Sequence, residues 1–301
     1  HGGCRFIALD SDVDGEYDHI GKAQLEWLKK DLETAKEARK IFVFIHKPLW
    51  QFAESNWMRE LHPLMAQYGV DTVFGGHFHQ YYKDKTRDNV RYIVSGGAGA
   101  EIYFKDIAGG FFHFLTVTVR DKRASIAVVR TGGVENEDVV TSDFLNKAES
   151  LKSALIPLSV RLERGATAVP EKYGLVIANP FSEEISGSLT WKKNTSGKSR
   201  WNIPETMEIS VAPGENQVLQ IPLPKVETAR ELKRLKPPSG ACRINLGSRI
   251  LFDETTKIEA DEWPYRETQK ALKKIFTLKN SEPVTNAPGV VSELKIIRNN
   301  P

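Results

Sequence analysis

The five residues Ile41–Ile45, IFVFI, are apolar at every position. A strand with one face in water alternates apolar and polar residues. One that is apolar throughout is expected to be buried on both faces, as a central strand is in a helix-covered parallel sheet. The flanking segments agree with this reading. Upstream, GKAQLEWLKKDLETAKEARK places Ala23, Leu25, Trp27, Leu28 and Leu32 at broadly helical spacing with charges elsewhere. Before that, CRFIAL at 4–9 is short, apolar and β-rich. Downstream, a helix is expected over 56–68, and a strand, VDTVF, runs into Gly75 and Gly76. Strand, helix, strand, helix, strand makes two successive βαβ units with right-handed crossovers.

Beyond residue 80 the pattern changes. VRYIVSGGA, FFHFLTVTVR and RASIAVVRT have connections too short for helices, so these strands are expected to be antiparallel or at the sheet edge. The first domain is expected to close at residue 146. From 150 to 225, short strands broken by Asn-Pro, Pro-Gly and Gly-Lys turns predict an all-β sandwich. Residues 226–301 read as a β-rich continuation or tail, with a helix near Glu267–Phe276.

Composition narrows the function classes. A net charge of +3, from 42 basic and 39 acidic residues, gives no nucleic-acid-binding surface. No apolar run approaches the roughly 20 residues of a membrane helix. Cys4 and Cys242 lie far apart and read as two free thiols, which leaves the redox compartment open.

The chemistry concentrates in histidines. His46 follows the buried strand directly, and His77 and His79 follow the next one after a glycine pair. Ligands of open α/β sheets bind at the carboxyl ends of the strands, so all three imidazoles are expected on one rim. Gly75 and Gly76 allow a sharp turn and leave room for an ion. Neutral imidazole suits zinc, iron and manganese. A metal centre held by His46, His77 and His79 is the expectation.

Other patterns read more plainly. Asp10, Asp12, Asp14 and Gly15 match four positions of an EF-hand loop, but position twelve is Gly21 and no helix precedes, so an acidic solvent loop is expected. Trp50, Phe52 and Trp57 read equally as a wall over the site or as packing for the next helix. Gly96, Gly97 and Gly99 lack the Gly-Lys-Ser/Thr ending of a phosphate loop and read as a tight turn. His113, between phenylalanines, reads as a packed histidine. Asn194-Thr195-Ser196 is a glycosylation sequon, and LKRLKPP reads as a solvated linker.

FIALDS, QLEWLKKDL, FVFIHKPLW, YGVDTVFGGHFHQYY and RYIVSGGAG, in that order, resemble the latter half of calcineurin-like metallophosphoesterases, the superfamily that includes purple acid phosphatases. The resemblance covers residues 4 to 120. It implies an α/β fold, the C-terminal half of a four-layer α/β/β/α sandwich. It also implies two divalent or trivalent metal ions, iron, manganese or zinc, with His46 and His77 on one and His79 on the other. The substrate it implies is a phosphate ester. The family's Asp-x-His, Gly-Asp and Gly-Asn-His-Asp/Glu motifs do not occur here. They and the catalytic histidine are expected upstream of His1, so the chain is expected to be inactive alone. Three neutral imidazoles lack the negative charge that holds two cations close together.

Residues 150–225 resemble, more weakly, an immunoglobulin-like accessory module, which implies a carbohydrate or protein partner and points to export, although localisation is not fixed by sequence. Two readings from other classes stay open: a mononuclear zinc hydrolase using the three histidines, and a binding module that retains a degenerate phosphoesterase half.

Overall fold

Strands β1 (Arg5–Leu9), β2 (Ile41–Ile45) and β3 (Val70–Gly75) run parallel and adjacent. The computed structural model to which they belong describes residues 1–12, 18–99, 101–163, 169–192, 201–235 and 238–263. The chain divides after Asn146 into two compact units.

In the first unit, helix α1 (Lys22–Thr34) joins β1 to β2 and buries Leu25, Leu28 and Leu32, its apolar stripe. Each such leucine contributes roughly 1.5–3 kcal/mol through burial. Helix α2 (His62–Gln67) follows a widened π-type turn, Trp57–Leu61, and precedes β3. The mixed α/β architecture is as expected. Burial of β2 is less complete than its sequence implies: Phe44 is 40% exposed, and its ring stacks with Phe6 and Phe74 across the sheet.

The next strands depart from expectation. Strand β5 (Arg91–Ser95) is neither antiparallel to β3 nor at the edge; it pairs parallel with β3, inside the order β1-β2-β3-β5-β4. The short edge strand β4 (Tyr81–Lys83) makes this possible without a helix. The chain passes outward to β4, then reverses through Asp88 and Asn89, whose positive φ values of 46° and 64° suit the tightest hairpin turns. Two reversals restore the parallel direction. A separate antiparallel sheet follows, β6 (His113–Arg120), β7 (Arg123–Arg130) and β8 (Gly133–Asn136). Helix α3 (Ser142–Leu155) contains the division point, and Thr141 Oγ1 accepts the Phe144 N–H at its start (3.1 Å).

The second unit holds β9 (Leu158–Glu163), β10 (Lys172–Ala178), β11 (Ile185–Trp191), β12 (Thr206–Val211), β13 (Asn216–Pro222), β14 (Ser239–Leu246) and β15 (Arg249–Trp263). β10 and β13 pair alone; the others form a five-stranded sheet ordered β12-β11-β14-β15-β9. Strands from beyond residue 226 therefore lie inside the same sheet as those before it. LKRLKPP is not simply a solvated linker. Its first residues end helix α4 (Ala229–Arg234), where Thr228 caps Glu231 and Leu232 is buried. Asp14 and Gly15, the sequon and the helix expected near 267–276 lie outside the described residues. Among the described residues, no helix is long and apolar enough to cross a membrane.

Candidate metal centre

Parallel register brings the histidines together. Ile45 lies opposite Gly75, so His46 and Gly76 leave their strands side by side, and the Gly76 N–H donates to the His46 carbonyl (2.9 Å). The His46 and His77 rings meet edge to face, with centroids 5.4 Å apart. His77 takes a left-handed backbone conformation, φ 65°, uncommon for a residue with a side chain and concentrated at functional sites. Burial first, and then the positive charges of His46 and Lys47, hold its pKa below the usual histidine value. A neutral ring keeps a lone pair for a metal.

His79 is held separately. Its Nδ1 lies 2.7 Å from the Glu101 carbonyl. A carbonyl only accepts, so Nδ1 carries a proton, and in the neutral ring Nε2 is the nitrogen with the lone pair. Metal-binding histidines commonly have this outer partner, which fixes tautomer and ring direction. The Tyr103 ring lies nearly parallel to His79, at 5.3 Å and 16°.

Glycines shape the rim. A Cβ on Gly75 would stand 2.7 Å from the Trp50 ring, and one on Gly96 would stand 2.0 Å from the Phe78 carbonyl. The Gly96 N–H donates to the Gln80 carbonyl (3.0 Å). The Gly96-Gly97 turn thus packs against the loop that carries His77 and His79, as a tight turn should. Trp50 and Trp57 are buried against Tyr92 and serve as packing. Phe52 stacks on Phe78 at the rim (6.3 Å). His113 is a packed histidine: Nδ1 donates to the Phe111 carbonyl (2.9 Å), and Nε2 accepts from Ser95 Oγ (3.0 Å).

Sequence reasoning missed the role of two further residues here. Lys47 is buried, and its ammonium meets Asp12 Oδ1 at 2.5 Å. Asp12 belongs to the acidic loop, yet β1 ends beside β2, which places Asp12 by His46. The signal was position: both residues lie in the loops that leave the carboxyl ends of β1 and β2. Hydrogen bonds from Lys47 and then Ser11 hold the Asp12 carboxyl below the usual carboxylate range.

The donors present suit a metal ion as imidazole ligands, two in ring contact and a third with Nε2 free. They do not form a complete centre. Among the described residues, no group of three or more His, Cys, Asp or Glu side chains gathers closely enough to hold an ion.

Residues 1–81 match the model of the calcineurin-like phosphoesterase family. Within the N-terminal unit, these residues are thus similar to that family, and the curated relatives they match are phosphatases by name. Among curated proteins the chain is similar to tartrate-resistant acid phosphatase type 5 of Rattus norvegicus, 32% identical over 135 residues, which cover 38% of this chain and 40% of that protein. The Mus musculus protein of the same name is 40% identical over 83 residues, 26% of this chain and 24% of that protein. The purple acid phosphatase of Glycine max is 32% identical over 96 residues, 29% and 21% respectively. The chain thus spans two fifths or less of the length of these relatives.

Proposed function

We propose that this chain contributes to a metal-dependent phosphatase, with His46 and His77 as ligands of one ion and His79 as a ligand of a second. The observation that carries the proposal is the ring contact of His46 and His77 at the carboxyl ends of β2 and β3, with His79 two residues further along the same loop and held by the Glu101 carbonyl. Iron, manganese or zinc would suit imidazole donors. When bound, such ions polarise a phosphate ester and stabilise charge on its oxygens. This chain's residues orient the ligands: the Glu101 carbonyl sets the His79 tautomer, and Gly75 and Gly76 let the loop approach.

A dinuclear centre also needs anionic ligands; Asp12 by His46 is engaged by Lys47, and among the described residues no group of three or more His, Cys, Asp or Glu side chains gathers to hold an ion. We place the anionic ligands outside these residues, so hydrolysis requires the full-length gene product. The four-layer sandwich belongs to the same proposal, as does an immunoglobulin-like second unit with a carbohydrate or protein partner and an extracytoplasmic setting. The single-zinc alternative requires three converging imidazoles and finds no support among the described residues.

The test is metal content and phosphate-ester hydrolysis of the full-length product, with and without a His77→Ala/His79→Ala double substitution. Loss of both in the variant supports the proposal. Unchanged metal content and rate would falsify it.

A further inference from the structure

His113 is packed as its sequence setting implies, but its hydrogen bonds also give it a direction. Nδ1 donates to the Phe111 carbonyl (2.9 Å), so in the neutral ring Nε2 carries the lone pair, and it meets Ser95 Oγ at 3.0 Å. Burial lowers the His113 pKa, against the opposing pull of the Phe111 carbonyl. A neutral imidazole that accepts from a hydroxyl, and is itself oriented by a third group, is the arrangement of a nucleophile with its base.

The two side chains come from different sheets. Ser95 ends β5 in the parallel sheet, and His113 opens β6. The glycine turn after Ser95 joins them. The His113 N–H donates to the Gly97 carbonyl (3.1 Å), and a Cβ on Gly97 would stand 2.7 Å from His113 Nδ1. Glycine lets the chain pass that close to the imidazole. The Tyr81 and Phe111 rings meet the imidazole edge to face, with centroids 5.3 and 5.4 Å away, and hold its plane. His113 is 6% exposed, whereas Ser95 is only partly buried, at a carboxyl end of the parallel strands where ligands of such sheets bind. The base is shielded from water and the hydroxyl is reachable.

The geometry points to a second activity: Ser95 is the nucleophile and His113 the general base of a dyad that hydrolyses carboxylic esters. Ser95 Oγ attacks the ester carbonyl carbon as its proton passes to His113 Nε2. The bond from that carbon to the leaving oxygen then breaks, and the imidazolium gives its proton to the departing alcohol, which leaves an acyl group on Ser95. Water attacks the acyl carbon with the same base, releasing the carboxylic acid and restoring the hydroxyl. The backbone carbonyl behind Nδ1 brings no full charge to balance the imidazolium, so the dyad suits esters with good leaving groups rather than amides. Both residues lie within this chain, and the activity is independent of the rim histidines and of the phosphatase reading.

The test uses the full 301-residue chain with p-nitrophenyl acetate as the ester and a fluorophosphonate as the covalent probe. The expected result is hydrolysis that EDTA does not change, together with an adduct that peptide mass spectrometry places on Ser95. Ser95→Ala should abolish the adduct and slow hydrolysis at least about a hundredfold, and His113→Gln should slow both reactions by a similar factor. Each substitution removes a partly buried hydrogen bond, so near-UV circular dichroism checks the fold of the variants. Where a variant unfolds, the position of the adduct in the unsubstituted chain decides. An adduct on another residue, or none, would overturn the inference. So would hydrolysis by folded Ser95→Ala within about twofold of wild type. Hydrolysis lost on chelation would overturn it too, by assigning the reaction to a metal centre.

Discussion

Lys47 Nζ stands 2.5 Å from Asp12 Oδ1, and the backbone N–H of Lys47 donates to Ser11 Oγ (3.2 Å), which donates in turn to Asp12 Oδ2 (2.9 Å). This small ring ties the exit of β1 to the exit of β2, directly beside His46. It also places a cation next to the proposed ligands, where it opposes protonation of His77.

The pair should therefore behave as a unit. Asp12→Asn removes an anionic partner from a buried ammonium and is expected to lower Tm. Lys47→Met should be milder, because Asp12 is exposed and returns to water. The double variant should cost less than the sum of the singles. Thermal unfolding of all four proteins at low salt checks this; strict additivity would show that the contact carries no coupling.

Gly96 has no room for a side chain. The new Cβ of Gly96→Ala would meet the Phe78 carbonyl at 2.0 Å, so the His77–His79 loop must shift. Overpacking of this kind costs about 1–3 kcal/mol. The expected outcome is a lower Tm together with at least tenfold weaker hydrolysis by the full-length product. Gly99→Ala, with open space around its Cβ but a φ of 108°, should be strained locally without moving the histidines. If both variants retained wild-type activity, the tight packing at Gly96 would have no bearing on the site.

Asp71 sets an acid limit on stability. Burial raises its pKa, but hydrogen bonds from Lys40 (2.6 Å) and Arg91 outweigh it, and the net shift is downward. A carboxylate with a depressed folded pKa stabilises fully above its unfolded value, near 3.9. That contribution disappears as pH falls through the folded pKa. Asp71→Asn should cost about 1.5–3 kcal/mol at neutral pH. The difference in Tm between wild type and variant should be similar at pH 7 and pH 5, then shrink below pH 4. A gap unchanged at pH 3 would assign the loss to packing instead.

The two thiols should differ in reactivity. Burial, then Asp253 and Glu254, pushes the Cys242 thiol up to about 12, while Cys4 is only partly buried. The thiolate is the reactive species. Native chain treated with a maleimide should carry one label, on Cys4, and gain the second only in denaturant. Mass spectrometry of the labelled peptides reads this directly; rapid native labelling at Cys242 would contradict its burial in β14.

Much of the first unit was legible because its signals are local. The unbroken apolar run of β2 and the leucine stripe of α1 predicted their elements, and the glycine pair marked the end of β3. Strand exits on a parallel sheet then placed His46 and His77 together without any contact information. The position of β5 was not legible. Whether Arg91–Ser95 pairs parallel or antiparallel depends on β4, a strand of three residues whose sequence carries little β signal. The Lys47–Asp12 pair was hidden for a different reason. It joins residues from two strands, and charge alone does not show which partner a lysine finds. The helix at Ala229–Arg234 was obscured by its charge, since six residues hold only one buried leucine, and the Thr228 cap was the better clue.

The parallel pairing of β9 with β15, which sets Leu158 opposite Ile258, has a consequence for how the second unit comes into being. The strand that opens this unit finds its neighbour only after about a hundred further residues have been added, and loops of that length close late and slowly. During synthesis, β9 must wait beside a ribosome with its pairing groups unmet while β11, β12 and β14 assemble. Its completion is then a single late event that depends on residues near 260, and a nascent chain arrested before them would hold every other strand of the sheet but leave the first one adrift.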